Sequence, residues 1–111
     1  MAGRDRPGSV DFTVLESMTG GDRAISDEVL ELFVEQARRW SATADPASEG
    51  WRDATHAIRG AAAGIGARDL ASTCAKAEVA AQDQADLALQ RVREALEQAL
   101  ADIAVYRRRL L

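Results

Sequence analysis

From Leu89 to Leu110 the apolar residues Leu89, Val92, Leu96, Ala99, Ile103, Tyr106 and Leu110 step along the chain by alternating threes and fours. An α-helix is the regular backbone that gathers such positions onto one face. The same alternation is the seam of an antiparallel bundle, in which helices cross at about 20° with interlocked side chains. A helix over roughly Gln84 to Arg109 therefore needs partners, and the rest of the chain supplies them. Asp11 can cap a short helix over Phe12 to Met18, with Phe12 and Leu15 on one side and Val14 and Met18 beside them; Gly20-Gly21 stops it. A second helix over Asp22 to about Thr43 places Ile25, Val29, Leu32, Phe33, Ala37 and Trp40 at helical spacing. Asp45-Pro46 reads as a cap followed by proline in the first turn, opening a third helix that runs to about Ile65, where Gly64 and Gly66 end it. A fourth, over Arg68 to Ala81, carries Leu70, Cys74, Ala77 and Ala81. Alanine at 23 of 111 positions, against two prolines and 5% aromatics, agrees with helix throughout. The expected fold is all-α: an antiparallel up-down-up-down four-helix bundle with a short additional N-terminal helix. Residues 1–9 read as a flexible lead-in and 10–111 as one domain.

Several function classes drop out. No apolar run reaches the ~18–20 residues that span a bilayer, and Met1 to Val10 has no signal-peptide core. A net charge of −4 argues against nucleic acid, whose binding rests on neutralising phosphates. One cysteine and one histidine do not make a zinc site. Cys74 reads as a small buried hydrophobe, and Trp40 and Trp51 as core or helix-end packing. Arg107, Arg108 and Arg109 sit at a helix C-terminus, where cations favour the dipole. The expected compartment is the cytoplasm, and four long helices closing one core predict a monomer.

The single histidine decides most of the remaining question. In the third helix Trp51, Ala54, Thr55, Ile58, Ala62 and Ile65 form one apolar sector, and His56 projects about 160° from its middle at 100° per residue. The imidazole is expected in solvent, mid-helix, on a rigid element. Arg59 and Gly60 are its neighbours three and four residues on; Ala63 and Ala67 follow, and Arg52 and Asp53 lie one turn before. A guanidinium thus stands beside the ring, and the strip beyond it has little side-chain bulk. A mid-helix glycine costs about 0.5–1 kcal/mol relative to alanine, so Gly60 suggests that something approaches the backbone there. A lone exposed histidine is otherwise an ordinary solvated residue.

The run His56-Ala-Ile-Arg59-Gly60, continuing through Gly64-Ile65-Gly66-Ala67 and Leu70 to Cys74 and Glu78, resembles the signature of histidine-containing phosphotransfer (HPt) domains. Their pattern is His-x-x-Lys-Gly, small residues, a Gly-Ala helix break, and an apolar helix ending near a Glu. The resemblance implies a bundle that carries a phosphoryl group between receiver domains in bacterial two-component phosphorelays. It implies His56 as phospho-acceptor, Arg59 as the cation at the phosphoryl oxygens, Gly60 as room for the incoming receiver, and Gly66 as the residue closing the break. The chain departs from the pattern at Arg59, where Lys is usual and a planar fork replaces a point charge. It also departs at Ala61 and Ala62, where small hydroxyl residues are common, and at Ala77, which replaces a bulkier apolar residue.

The expected function is a stoichiometric carrier rather than an enzyme. Neutral His56, through its outer nitrogen, attacks an aspartyl phosphate on a docked receiver domain of a hybrid histidine kinase or response regulator. No cofactor is expected on this chain; the divalent metal belongs to the receiver. No Gly-rich or Gly-Lys-Ser/Thr phosphate loop occurs, so neither ATP binding nor autokinase activity is expected. The docking surface is expected around Gly60, Ala63, Ala67 and Arg52. Phe12, Leu15 and Met18 serve either as its apolar rim or as core, and Arg68 either meets the receiver or is solvated. The alternative is a helical adaptor that binds a signalling partner through the same face and carries no phosphate.

Overall fold

The computed structural model describes residues 9–111; residues 1–8 of the expected lead-in lie outside the described residues. Among the described residues there are five α-helices and no strand: α1 (Phe12–Thr19), α2 (Arg23–Thr43), α3 (Trp51–Ile65), α4 (Arg68–Glu78) and α5 (Ala85–Leu110), with a 3₁₀ turn at Gln82–Gln84 before α5. Ser9 is tied to α5, its N–H and hydroxyl both donating to Asp102 Oδ2, the hydroxyl at 3.0 Å.

Cross-helix bonds fix the helix directions. Trp40 Nε1 near the end of α2 donates to Thr55 Oγ1 near the start of α3 at 3.0 Å. Arg52 at the start of α3 reaches the carbonyls of Glu78 and Ala80 at the end of α4. Arg107 near the end of α5 pairs with Asp27 and Glu31 near the start of α2, at 2.7 and 2.6 Å; its guanidinium holds the Asp27 carboxyl below the usual range. Helices α2, α3, α4 and α5 therefore alternate in direction. They close a ring in which α2 packs on α3 and α5, and α4 on α3 and α5, while α1 lies across α2 and α3. The expected up-down-up-down bundle with a short N-terminal helix is the fold.

The stripes of α3 and α5 are buried as their spacing requires: Trp51, Thr55, Ile58, Ala62 and Ile65 on one, Leu89, Val92, Leu96, Ala99 and Ile103 on the other. Thr55 is a buried polar residue with its needs met, accepting from Trp40 and donating to Trp51 O at 2.8 Å. Helix α2 is rotated from its expected phase. Its buried face is Ser26, Leu30, Phe33, Ala37 and Trp40, which leaves Ile25 and Leu32 exposed. The cause lies in its neighbours. Asp27 and Glu31 must point to Arg107 on α5, and Ser26 Oγ bonds Thr19 Oγ1 at 2.8 Å. Both place Leu30 inward and turn Ile25 and Leu32 to the other flank.

Two helix ends also differ from expectation. Asp45-Pro46 makes a turn instead of opening α3: Asp45 Oδ1 accepts from Ala47 N at 2.8 Å, and Asp45 O from Ser48 N at 2.9 Å. The helix begins only after Gly50, whose left-handed φ of 84° breaks continuity and lets Trp51 turn into the core. Helix α4 stops at Glu78, leaving Ala81 exposed outside it, because the chain must reverse into α5 and the carbonyls of residues 78 and 80 go to Arg52 instead of to helical N–H groups.

The break between α3 and α4 is built on Gly66 at φ 89°. Gly66 N donates to Ala63 O at 3.2 Å and Ala67 N to Ala62 O at 2.8 Å, the paired bonds of a Schellman closure. Gly66 O accepts from Asp11 N at 2.8 Å, which seats the start of α1 against the break. Ala67 is therefore not the exposed docking residue expected of it. Helical phase no longer applies beyond Gly66, and Ala67 packs at 0% exposure as the lead-in to α4.

Candidate functional site

Helix α3 brings the chemistry to one side. His56 sits mid-helix with its side chain 64% exposed, as its angle from the apolar sector requires. Beside it stand Arg59 on the next turn and Glu78 from the end of α4. His56 Nδ1 lies 2.7 Å from Glu78 Oε1, and Arg59 Nε lies 2.7 Å from Glu78 Oε2. The N–H of Arg59 Nε is not aimed at that oxygen, so the second contact is an ion pair without a directed hydrogen bond. Arg59 Nη2 is also 2.9 Å from Nδ1. A carboxylate only accepts and a guanidinium only donates, so the two contacts call for opposite tautomers; the shorter one, to Glu78, favours the ring proton on Nδ1. Arg59 then lies alongside that nitrogen rather than donating to it. In that neutral tautomer Nε2 carries the lone pair, on a ring that is mostly exposed.

The strip beyond the ring is bare for no internal reason. A Cβ added at Gly60 or Gly64 would meet nothing within 4 Å, so close helix packing does not explain either glycine. Ala63 between them is exposed. On the α2 side, Met18, Val29 and Leu32 line a shallow apolar hollow with Ala61 and Gly64; Met18 is 57% and Leu32 65% exposed. The other rim candidates are committed elsewhere. Leu15 is fully buried, and Phe12 stacks on Tyr106 with ring centroids 3.9 Å apart.

Arg52, expected on the docking surface, is bonded within the fold. Its guanidinium is held by two backbone carbonyls and lies over the Trp51 ring, 4.3 Å from the centroid. Arg68 remains mostly in solvent, 3.5 Å from Asp11. The carboxylate at His56 is Glu78 and not Asp53, the nearby acid visible from α3 alone. The sequence signal for it was the Glu that ends the family-like run. Cys74, one turn before Glu78, is not a reactive thiol: burial, and then the charge of Glu78, push it up to about 12. Among the described residues no group of His, Cys, Asp and Glu is placed to hold a metal ion, and no helix is long and apolar enough to cross a membrane.

The sequence matches no family model and no curated protein. Among solved structures it is similar to the crystal structure of the histidine phosphotransferase ShpA from Caulobacter crescentus, at 47% identity and a TM-score of 0.78. The likeness covers 89% of this chain and 90% of that one.

Proposed function

The chain belongs to the histidine phosphotransfer (HPt) family, and on that premise we propose that it relays a phosphoryl group between aspartates of receiver domains, those of a hybrid histidine kinase and a response regulator, through Nε2 of His56. The observation that carries this reading is the exposed ring whose Nδ1 is engaged by Glu78, with Nε2 free beside a backbone strip that a partner can approach.

In the transfer, the Nε2 lone pair attacks the phosphorus of an aspartyl phosphate, the N–P bond forms, and the P–O bond to the receiver carboxylate breaks. The ring proton stays on Nδ1, so the phosphorylated ring is cationic and the Glu78 carboxylate stabilises it. Arg59, half exposed beside the ring, has further N–H donors for the phosphoryl oxygens. The receiver supplies the divalent metal and the leaving carboxylate; this chain supplies a nucleophile held on a stiff helix. The docking face comprises Gly60, Ala63 and Gly64 with the apolar hollow of Met18 and Leu32. The carrier works in the cytoplasm as a monomer, binds no nucleotide and does not phosphorylate itself from ATP.

The test is to mix the protein with a radiolabelled phospho-receiver. Label should pass to this chain, be lost in acid and resist base, as a phosphohistidine does. Label that persists in acid, or receiver binding without any label, overturns the proposal; the second outcome is the adaptor's. Two substitutions grade the site. Arg59→Ala should slow transfer about tenfold, less than the roughly hundredfold or more typical for loss of one charge-stabilising donor, because the receiver supplies most of the stabilisation, with the helical circular dichroism unchanged. An unchanged rate makes Arg59 a bystander. Gly60→Ala should separate stability from activity. It should raise unfolding free energy by about 0.5–1 kcal/mol, since the new methyl meets no atom, and slow transfer by holding the receiver off. Urea melts and stopped transfer reactions measure the two effects.

A further inference from the structure

Helix α4 ends without the left-handed glycine that usually closes a helix. Val79 follows it at φ −107° and ψ 5°, and its N–H goes to Ala77 O. The carbonyls of Glu78 and Ala80 are thus left without helical donors. Arg52 takes both: Nη1 donates to Glu78 O at 2.7 Å and Nη2 to Ala80 O at 2.8 Å. Two bonds from one planar fork set orientation as well as position, and a cation there suits the negative end of the helix dipole. The fork is itself held, lying over the face of Trp51, which is 4% exposed. Arg52, His56 and Arg59 come four and then three residues apart, along one strip of α3. Glu78 is therefore gripped twice by the same rigid element, its carbonyl by Arg52 and its carboxylate by His56 and Arg59.

We propose that Arg52 is a positioning residue for the transfer: by capping the end of α4 it holds the Glu78 carboxylate against Nδ1 of His56 and so keeps Nε2 unprotonated. This rests on the phosphocarrier reading for its purpose, but the state it controls belongs to the free protein. A neutral imidazole in water favours the tautomer with its proton on Nε2, which is not nucleophilic there; the bond to Glu78 reverses that preference. Loosening Glu78 should return the proton to Nε2.

Nitrogen-15 NMR of the ring at mildly alkaline pH reads the tautomer directly, without a receiver. The wild type should be mainly the Nδ1–H form, and Glu78→Ala mainly the Nε2–H form. Arg52→Met should move the ratio in the same direction by about three- to tenfold, part of what loss of a charge-assisted hydrogen bond produces. Arg52→Lys, a point charge that reaches one carbonyl, should fall between. In the Glu78→Ala background, Arg52→Met should change nothing more, in either tautomer ratio or transfer rate. A ratio unmoved by Arg52→Met, or an effect that adds to Glu78→Ala, overturns the proposal. Should Arg52→Met not fold, Arg52→Lys carries the same comparison. A wild type that accepts no phosphoryl group refutes the carrier reading, while the tautomer ratios still decide the role of Arg52.

Discussion

Replacing His56 with glutamine should abolish the acid-labile label while leaving the bundle folded. The loss should be complete because the chain has no second imidazole and, among the described residues, neither the thiol nor the phenol is poised to replace it. Cys74 is buried with its thiol pushed up to about 12. The Tyr106 hydroxyl is likewise pushed to about 12, mainly by burial, and donates to Glu16 at 2.6 Å. A phosphoryl group captured by a carboxylate such as Glu78 would be labile to base, so the chemistry of any residual label identifies its site. The fold should tolerate the change. The ring is mostly in solvent, the glutamine amide can still donate to Glu78, and surface substitutions usually alter stability by only about ±0.5 kcal/mol. A folded His56→Gln protein that still takes up label lost in acid but stable in base refutes the assignment of His56.

Gly66→Ala is the expected large loss of stability. Alanine is disfavoured at φ 89° by about 1–2 kcal/mol. The new methyl would also overlap the carbonyl oxygen of Asp11 and sit 3.1 Å from Val14 Cβ. Relief requires α1 to move off the break, giving up the Asp11–Gly66 hydrogen bond and the burial of Leu15. Together these should remove roughly 3 kcal/mol or more, a fall of about 10–20 °C in Tm for a domain of this size. Thermal melts measure the total. Amide exchange over Phe12–Thr19 should accelerate more than exchange in α5, since the damage starts where α1 is seated. A loss under about 1 kcal/mol, or uniform acceleration, would mean that Gly66 serves only its local turn.

How much of this was legible in the sequence follows from how far each signal reaches. The stripes of α3 and α5 are local and periodic, and the structure buries them except at Ala54, Tyr106 and Leu110, which are partly buried. The exposure of His56 is a consequence of one angle on one helix and was equally accessible. The phase of α2 was not, because it depends on Arg107 in a helix far along the chain. Ala67 is buried because the helix, and with it the phase that would expose it, ends at Gly66. Glu78 stood in the family-like run, but its bond to Nδ1 needs α4 folded back on α3, which no spacing within α3 contains. The engagement of Arg52 is hidden from α3 alone for a related reason. An arginine one turn from His56 looks free until the carbonyls at the end of α4 arrive beside it.

The openness of the His56 ring also bears on time. On the reading proposed, cargo held at Nε2 is in continuous contact with bulk water, since the described residues form no lid over it. Its survival is then governed by the intrinsic hydrolysis of the P–N bond rather than by shielding within the bundle. Any delay or memory in such a circuit would have to be kept by the proteins that load and empty this one.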